Sequence, residues 1–487
     1  MSSLPPILNV QTLPTINNME IKTEVLDPIT SSNQEVVFQI PKNGILDGGS
    51  FVSLAVRTAS GVSDAFFPLQ TGIHGLVKNA YLMSGSKVIA STEEYGHYQT
   101  MARLFETPEH RAYIEQIKSG TSMDRFNQND VALGRIQPKD LAYTTFDAAA
   151  TARAVVPDLV KPTDDDSTTP VFSVPLSHLI PFMRSRQLPL FAMKENIYLR
   201  LVFNTQVAAG DVGKVCCFPD GSGSSPVVVP SLFNVKFYSD HLYYLDGSME
   251  QTQSAIFSDN GLSYLFEDSI LTNAQIPAVT NPTAPAVTEQ RFERDIAVSG
   301  RVVRSLLLQE KPSGEKHPVC GDYISKCMTT DDSLNYRINE QRIYDRDLTT
   351  PSQKYNELTN VMGKPLQVPS QLYSFDSDSS KARADRQLDQ NSVYIGQIEG
   401  HQLPTATATL AADRVTDIRG INHYTGIDLT TSGMNVLGNG RRIGVKPIIV
   451  QKTELRPVGF QGAREMRCWA SVERTITIKD GTVMLSA

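Results

Sequence analysis

The chain has 487 residues, of which 40% are hydrophobic and 20% charged, and its formal net charge is -7. That length exceeds what one hydrophobic core usually holds, so two domains of roughly 240 residues each are expected, and the ordinary apolar share excludes overall disorder. No run of lysines or arginines offers a footprint for phosphates, which excludes tight packaging of nucleic acid and sequence-specific nucleic-acid binding as the chain's task.

The first residues, MSSLPPILNVQTLPTINNM, lack a basic start and a continuous apolar stretch. No segment approaches the ~18 apolar residues of a membrane span. This predicts a soluble, unsecreted protein from a reducing compartment, with no direct membrane span and residues 1–20 as an extended arm marked by Pro5, Pro6 and Pro14. Strand signals follow. Val36, Phe38 and Ile40 alternate with Glu35, Val37 and Gln39, and Val52, Leu54 and Val56 alternate with Ser53 and Arg57, the period of two that places one face inward. Turn chemistry at Pro41 to Gly44 and Asp47 to Gly49 favours antiparallel connections over crossover helices.

A helical insertion is predicted over about 91–120. Ser91-Thr-Glu-Glu94 fits a capping box, Thr107-Pro108-Glu109 an N-cap with proline at the first position, and Gly120 a stop. Two short helices are expected there, the second with Ala112, Tyr113 and Ile117 as its apolar patch. Residues 139–170, 272–288 and 401–412 read as long surface loops. From Val174 to Asn204, Pro175-Leu176 and Leu188-Pro189-Leu190 bracket a linker that cannot continue a helix. It leads into Ile197, Leu199, Leu201 and Phe203 on one face with Asn196, Tyr198, Arg200 and Asn204 on the other.

Further along, His241 to Met249 ends a strand on Asp-Gly-Ser, and Arg474 to Val483 ends another on Asp-Gly-Thr. The glycines, Gly247 and Gly481, stand about half the chain apart, an internal echo that suggests two similar halves. The second opens on Gly261 to Phe266, continues through a strand at Tyr424 to Thr431, and turns at Gly438-Asn-Gly440 before Ile443 to Val450. Trp469, the single tryptophan, reads as a core anchor.

No reactive constellation emerges. The five cysteines, Cys216, Cys217, Cys320, Cys327 and Cys468, include no C-x-x-C pair, and His317 near Cys320 has no second ligand pair. Asp164 to Asp166 lack the glycine and distal glutamate of a calcium loop. Ala208 to Val215 imitates a phosphate loop but has Ala208 for the first glycine and Val215 for the hydroxyl. Gly438 to Gly444 misses dinucleotide spacing by one residue. His97 and His110 lie in the helical insertion without a partner spacing. Catalytic, cofactor-binding and metal residues are therefore predicted as none, and no cofactor is expected.

Pro175-Leu176, Leu188-Pro189-Leu190 with Ala192, and the strand from Ile197 to Phe203 resemble a local pattern of the major capsid proteins of the double jelly-roll lineage of double-stranded DNA viruses. That lineage includes large eukaryotic DNA viruses, virophages and polinton-like viruses. Leu242 to Asp246 with Glu250 is similar to a second family feature, while Ser177, His178 and Leu179 replace the aromatic pair the family places after the first proline-leucine step. The resemblance implies an all-β fold of two consecutive eight-stranded antiparallel jelly rolls, over 21–250 and 251–487, with the helical insertion in the first and long surface loops. It implies a non-enzymatic structural protein of the virion, assembled inside the host cell. Homotrimeric, pseudo-hexameric capsomers would tile an icosahedral shell around DNA, with neighbouring capsomers, penton and minor capsid proteins as partners. Two other readings stand beside it: a minor capsid or vertex (penton-type) jelly-roll protein, and a carbohydrate-binding or glycoside-cleaving double β-sandwich, whose carboxylates would meet only in space.

Overall fold

The computed structural model describes residues 19–58, 72–103, 116–119, 171–204, 230–245, 247–278, 287–313, 332–362, 424–431, 437–457 and 463–486. The alternation read in the sequence forms strands. Over Ile197–Phe203 every second residue is fully inside and every other one half-buried, because a pleated strand sends neighbours to opposite faces.

Eight principal strands make the first unit: β1 (Met19–Leu26), β2 (Glu35–Ile40), β3 (Phe51–Thr58), β4 (Val77–Ser84), β5 (Lys87–Thr92), β6 (Val171–Pro175), β7 (Ile197–Phe203) and β8 (Pro230–Tyr244). They pair antiparallel as sheet one, β1-β8-β3-β6, and sheet two, β2-β7-β4-β5. Eight more follow: β9 (Leu262–Ile276), β10 (Val287–Ile296), β11 (Val302–Pro312), β12 (Asp332–Ile338), β13 (Gln341–Arg342), β14 (Tyr424–Asp428), β15 (Ile448–Pro457) and β16 (Arg464–Lys479). Their order is β9-β16-β11-β14 in sheet three and β10-β15-β12-β13 in sheet four, the first arrangement advanced by eight. In both units the chain crosses between facing sheets and only the fourth and fifth strands form a direct hairpin, which is jelly-roll topology. A short strand at Thr30–Ser31 extends the edge of sheet two beyond β2, while Ile45–Leu46, Arg441–Arg442 and Thr482–Ser486 pair with the inner strands β8, β11 and β16. The fold is all-β, a double jelly roll.

Each roll is closed by the apolar faces of its two sheets. Phe38, Leu54, Phe172, Leu199 and Phe237 fill the first, and Phe292, Leu306, Leu334, Ile448 and Cys468 the second. Phe266, Ile476, Ile478 and Val483 belong to the first core although their strands start or end the second roll. The two rolls therefore share apolar interior. One end of the second roll is pinned by a buried ionic cluster. Lys452 donates to both oxygens of Glu310 at 2.9 Å and Arg464 to one at 3.0 Å, linking β15 of sheet four to β11 and β16 of sheet three.

Helices fill the connections: α1 (Tyr95–Arg103), α2 (Gln116–Ser119), α3 (Leu176–Leu179), α4 (Phe182–Ser185), α5 (Ser248–Ile256) and α6 (Pro351–Met362). Several local expectations change. Ser91 does not cap a helix; it lies in β5 opposite Tyr81, and α1 starts only after Glu94, whose φ is 49°. The linker from Pro175 continues no helix beyond a single turn: Pro175, Pro181 and Pro189 each immediately precede one, α3, α4 and a 3₁₀ turn at Leu190–Ala192, because a proline whose own amide is not needed tolerates a helix start. The loop expected over 272–288 is shorter, since β9 runs on to Ile276 and β10 begins at Val287. The strand expected from Ile443 begins at Ile448. Of the proposed apolar patch of the second helix, Ile117 lies in α2, whereas Ala112 and Tyr113, the expected N-cap and the loops 139–170 and 401–412 lie outside the described residues, as does the N-terminal arm up to Asn18.

Candidate functional site

The richest concentration of polar and aromatic groups is the seam where the rolls meet. Strands β9 and β16 have 15 and 16 residues, about 50 Å of extended chain, and they reach beyond the second core to lie on the first roll. There Phe266 meets Phe182 of α4 edge-on, with ring centroids 5.0 Å apart. Arg186 Nε donates to the Leu265 carbonyl at 2.8 Å, and the Ser91 amide of β5 donates to Asp268 Oδ1 at 3.2 Å. Arg474 Nη1 donates to the other Asp268 oxygen at 2.7 Å. Burial pushes the Asp268 carboxyl above its ordinary range, against the opposing pull of Arg474.

Trp469 carries the neighbouring part of the seam. Its ring is 2% exposed, stands edge-on to Tyr98 of α1 at 6.1 Å, and donates from Nε1 to the Glu93 carbonyl at 3.0 Å. Met101 of α1, Leu307 of β11, Leu358 of α6 and Tyr424 of β14 form a small apolar cluster against which Tyr98 packs, and Leu307 is the ladder partner of Trp469. Sheet three is thus covered by one helix from each roll. Gly426 permits the approach of α6, because a Cβ there would meet Val361 Cγ2 at 3.1 Å and the Leu306 carbonyl at 2.9 Å.

Between these helices and sheet three a cleft of about 400 Å³ remains, lined by Tyr98, Arg184, Glu267, Arg304, Asp428 and Trp469 among others. Its charges are already engaged. Arg304 donates to Glu267 at 2.9 Å and lies 3.6 Å from Glu473, Ser471 donates to Glu267 at 2.7 Å, and Glu473 accepts the amides of Gly438 and Gly440 at 2.9 and 3.3 Å. Asp428 accepts both the amide and the hydroxyl of Thr430 at 3.0 Å. A glycosidase needs one carboxyl free to donate and a second free to attack or activate water; here Glu267 and Asp428 each hold structure. The tryptophan edge is packed rather than presented for sugar stacking. These charges pair within the second roll, and the seam to the first roll is carried by the contacts of Leu265, Phe266, Asp268 and Trp469 with Arg186, Phe182, Ser91 and Glu93.

The residues singled out by sequence fall as follows. Trp469 is the core anchor expected. His97 is buried on α1, 3.8 Å from Glu94 and 3.5 Å from Arg467. Gly438 to Gly444 is a turn whose amides bind Glu473, not a phosphate cradle. Cys468 is fully buried, its thiol pushed up to about 12 by desolvation, so it is a packing residue. Cys216, Cys217, Cys320, Cys327, His110, His317, Asp164 to Asp166 and Ala208 to Val215 lie outside the described residues. Among the described residues no group of three histidine, cysteine or acidic side chains is placed to hold a metal, and no helix is long and apolar enough to cross a membrane. The seam itself escaped sequence reading. Arg304 inside the apolar run from Val302 to Leu308 was its one visible signal, since a charge on a central strand demands a partner.

No protein-family model matches the sequence, and no curated protein does. Among solved structures the fold is similar to that of the PBCV-1 virus capsid, with a TM-score of 0.54 at 12% identity, covering 96% of this chain and 97% of that one. It is similar to the Sputnik virophage structure, at 0.55 and 12%, covering 100% and 92%. It is also similar to the Faustovirus major capsid protein, at 0.54 and 8%, covering 98% and 93%. The likeness runs over both rolls, and it is a likeness of fold.

Proposed function

We propose that this chain, built on the double jelly-roll fold seen in viral major capsid proteins, is itself a major capsid protein. It is a structural component of the virion, assembled inside the host cell. Three copies form a homotrimeric capsomer of pseudo-hexameric outline, and capsomers tile an icosahedral shell around double-stranded DNA, with penton and minor capsid proteins as further partners. The domains are an N-terminal arm over 1–20, a first roll over 21–250 and a second over 251–487. The observation that supports this reading is the repetition of one strand order in two rolls that share apolar interior, as a two-sixths segment of a ring requires. A vertex protein needs only one roll, and the second, complete one favours the capsomer.

The test is solution mass by light scattering, with electron images of the same fraction. A particle of about 161 kDa, three times 53.6 kDa, with hexagonal outline supports the reading. A pentamer transfers the chain to the vertex, and a monomer under all assembly conditions removes the capsomer.

A further inference from the structure

Sheets one and three occupy equivalent places in their rolls, yet their outer faces are finished differently. On sheet three, α6 covers β14 and β11, and α1 of the other roll covers β16 through Tyr98 and Met101. On sheet one, Ser53 and Ala55 of β3 are inside, while β1 at the edge lies open. Met19, Ile21 and Val25, which share one face of β1, are 45%, 57% and 51% exposed, and Ile29 just beyond the strand is 58% exposed. Across the ladder from them stand Tyr244, the buried Leu242 and Tyr238, Tyr238 stacks on Phe51 at 4.6 Å, and the polar pair on this face is closed on itself, Thr23 donating to Asp240 at 2.5 Å. β1 is also the terminal strand of its sheet, with a row of backbone groups on its outer side.

We propose that this face is where the second roll of another copy of the chain docks, repeating between chains the seam that joins the two rolls within one. The inference rests on the capsomer reading and deepens it by naming the surface. A second copy is the fitting occupant because the equivalent face is already covered by the neighbouring roll of this same chain, and only another copy can offer a second roll to the first. The three open side chains of β1 present roughly 280 Å², on the scale of the few hundred Å² at which apolar patches mark an interaction site, and with the adjoining aromatics they supply the apolar centre of a standard interface of ~800 Å² per partner. A single chain therefore has one filled seam and one open one, the condition for a closed ring of copies.

The test compares Ile21→Glu/Val25→Glu with the unmodified chain and with Val445→Glu, which adds the same charge to a residue 93% exposed on the second roll. Expected are trimers for the unmodified chain and the Val445 variant, and for the double variant a monomer with unchanged circular dichroism and at least a tenfold higher concentration for half-assembly. Hydroxyl-radical labelling of the unmodified protein gives a readout independent of any variant: Met19 labels at least tenfold more slowly in the trimer than in the monomeric fraction. A double variant that stays trimeric, or equal labelling of Met19, overturns the proposed surface while leaving the capsomer intact; coverage of β1 by residues 1–18 of its own chain would show itself in this way. An unmodified chain that never associates overturns both.

Discussion

Asp268 shows how much of the seam rests on single groups placed far apart in sequence. Its carboxylate accepts from Ser91, 177 positions away, and from Arg474, 206 positions away, so no local pattern could mark it. Trp469, by contrast, was legible from residue type alone, because burying a large aromatic dominates packing energetics. Desolvation raises the Asp268 pKa in the folded chain; the folded state then binds its proton more tightly than the unfolded state does. This group's contribution to stability is therefore largest at low pH and declines as pH rises from the ordinary carboxylate range through the raised value. Asp268→Asn keeps an oxygen for the Ser91 and Ser269 amides and removes that dependence. The difference in unfolding free energy, variant minus parent, grows more favourable as pH rises through that window. Urea titrations at several pH values check it, and a flat difference refutes the assignment.

Among elements, strands with two distinct faces were easiest to read. Ile197–Phe203 alternates without a break, and burial on one side leaves only one register possible. The capping motif at Ser91 misled because its hydroxyl pattern is weaker than the ladder it competes with: β5 pairs with β4 through Ser91, and the helix waits for Tyr95. A true capping box stood elsewhere, unread. Thr350 Oγ1 accepts the Gln353 amide at 3.4 Å, Gln353 Oε1 accepts the Thr350 amide at 3.2 Å, and Pro351 opens α6, as the reciprocal motif with proline at the first position predicts. That helix docks on Gly426. Gly426→Ala drives a methyl against the Leu306 carbonyl and Val361, and a cost of about 1–3 kcal/mol is expected from overpacking. Equilibrium denaturation measures it, and a neutral substitution shows that α6 shifts freely on sheet three.

At the scale of the molecule, chain length and the Asp-Gly echo pointed to two similar halves, and the echo falls at the ends of β8 and β16, the last principal strand of each roll. The shared interior was hidden, because the residues that cross into the first core, Phe266, Ile476, Ile478 and Val483, look like ordinary strand positions of the second. The consequence is energetic coupling. Calorimetry of the whole chain gives one transition, with van't Hoff and calorimetric enthalpies in agreement, whereas residues 251–487 expressed alone expose those side chains and bind a hydrophobic dye. Two separated transitions in the whole chain refute the coupling.

The position of β16 also dictates a timetable. It lies between β9 and β11 in sheet three, so on the ribosome those two flanking strands emerge about 150 residues or more before the strand that must unite them. β8 stands in the same relation to β1 and β3. Contacts of such long sequence separation form slowly, and during the wait the apolar faces of the unfinished sheets are open to aggregation. Each of these sheets is therefore complete only when its last long strand, β8 or β16, has been made.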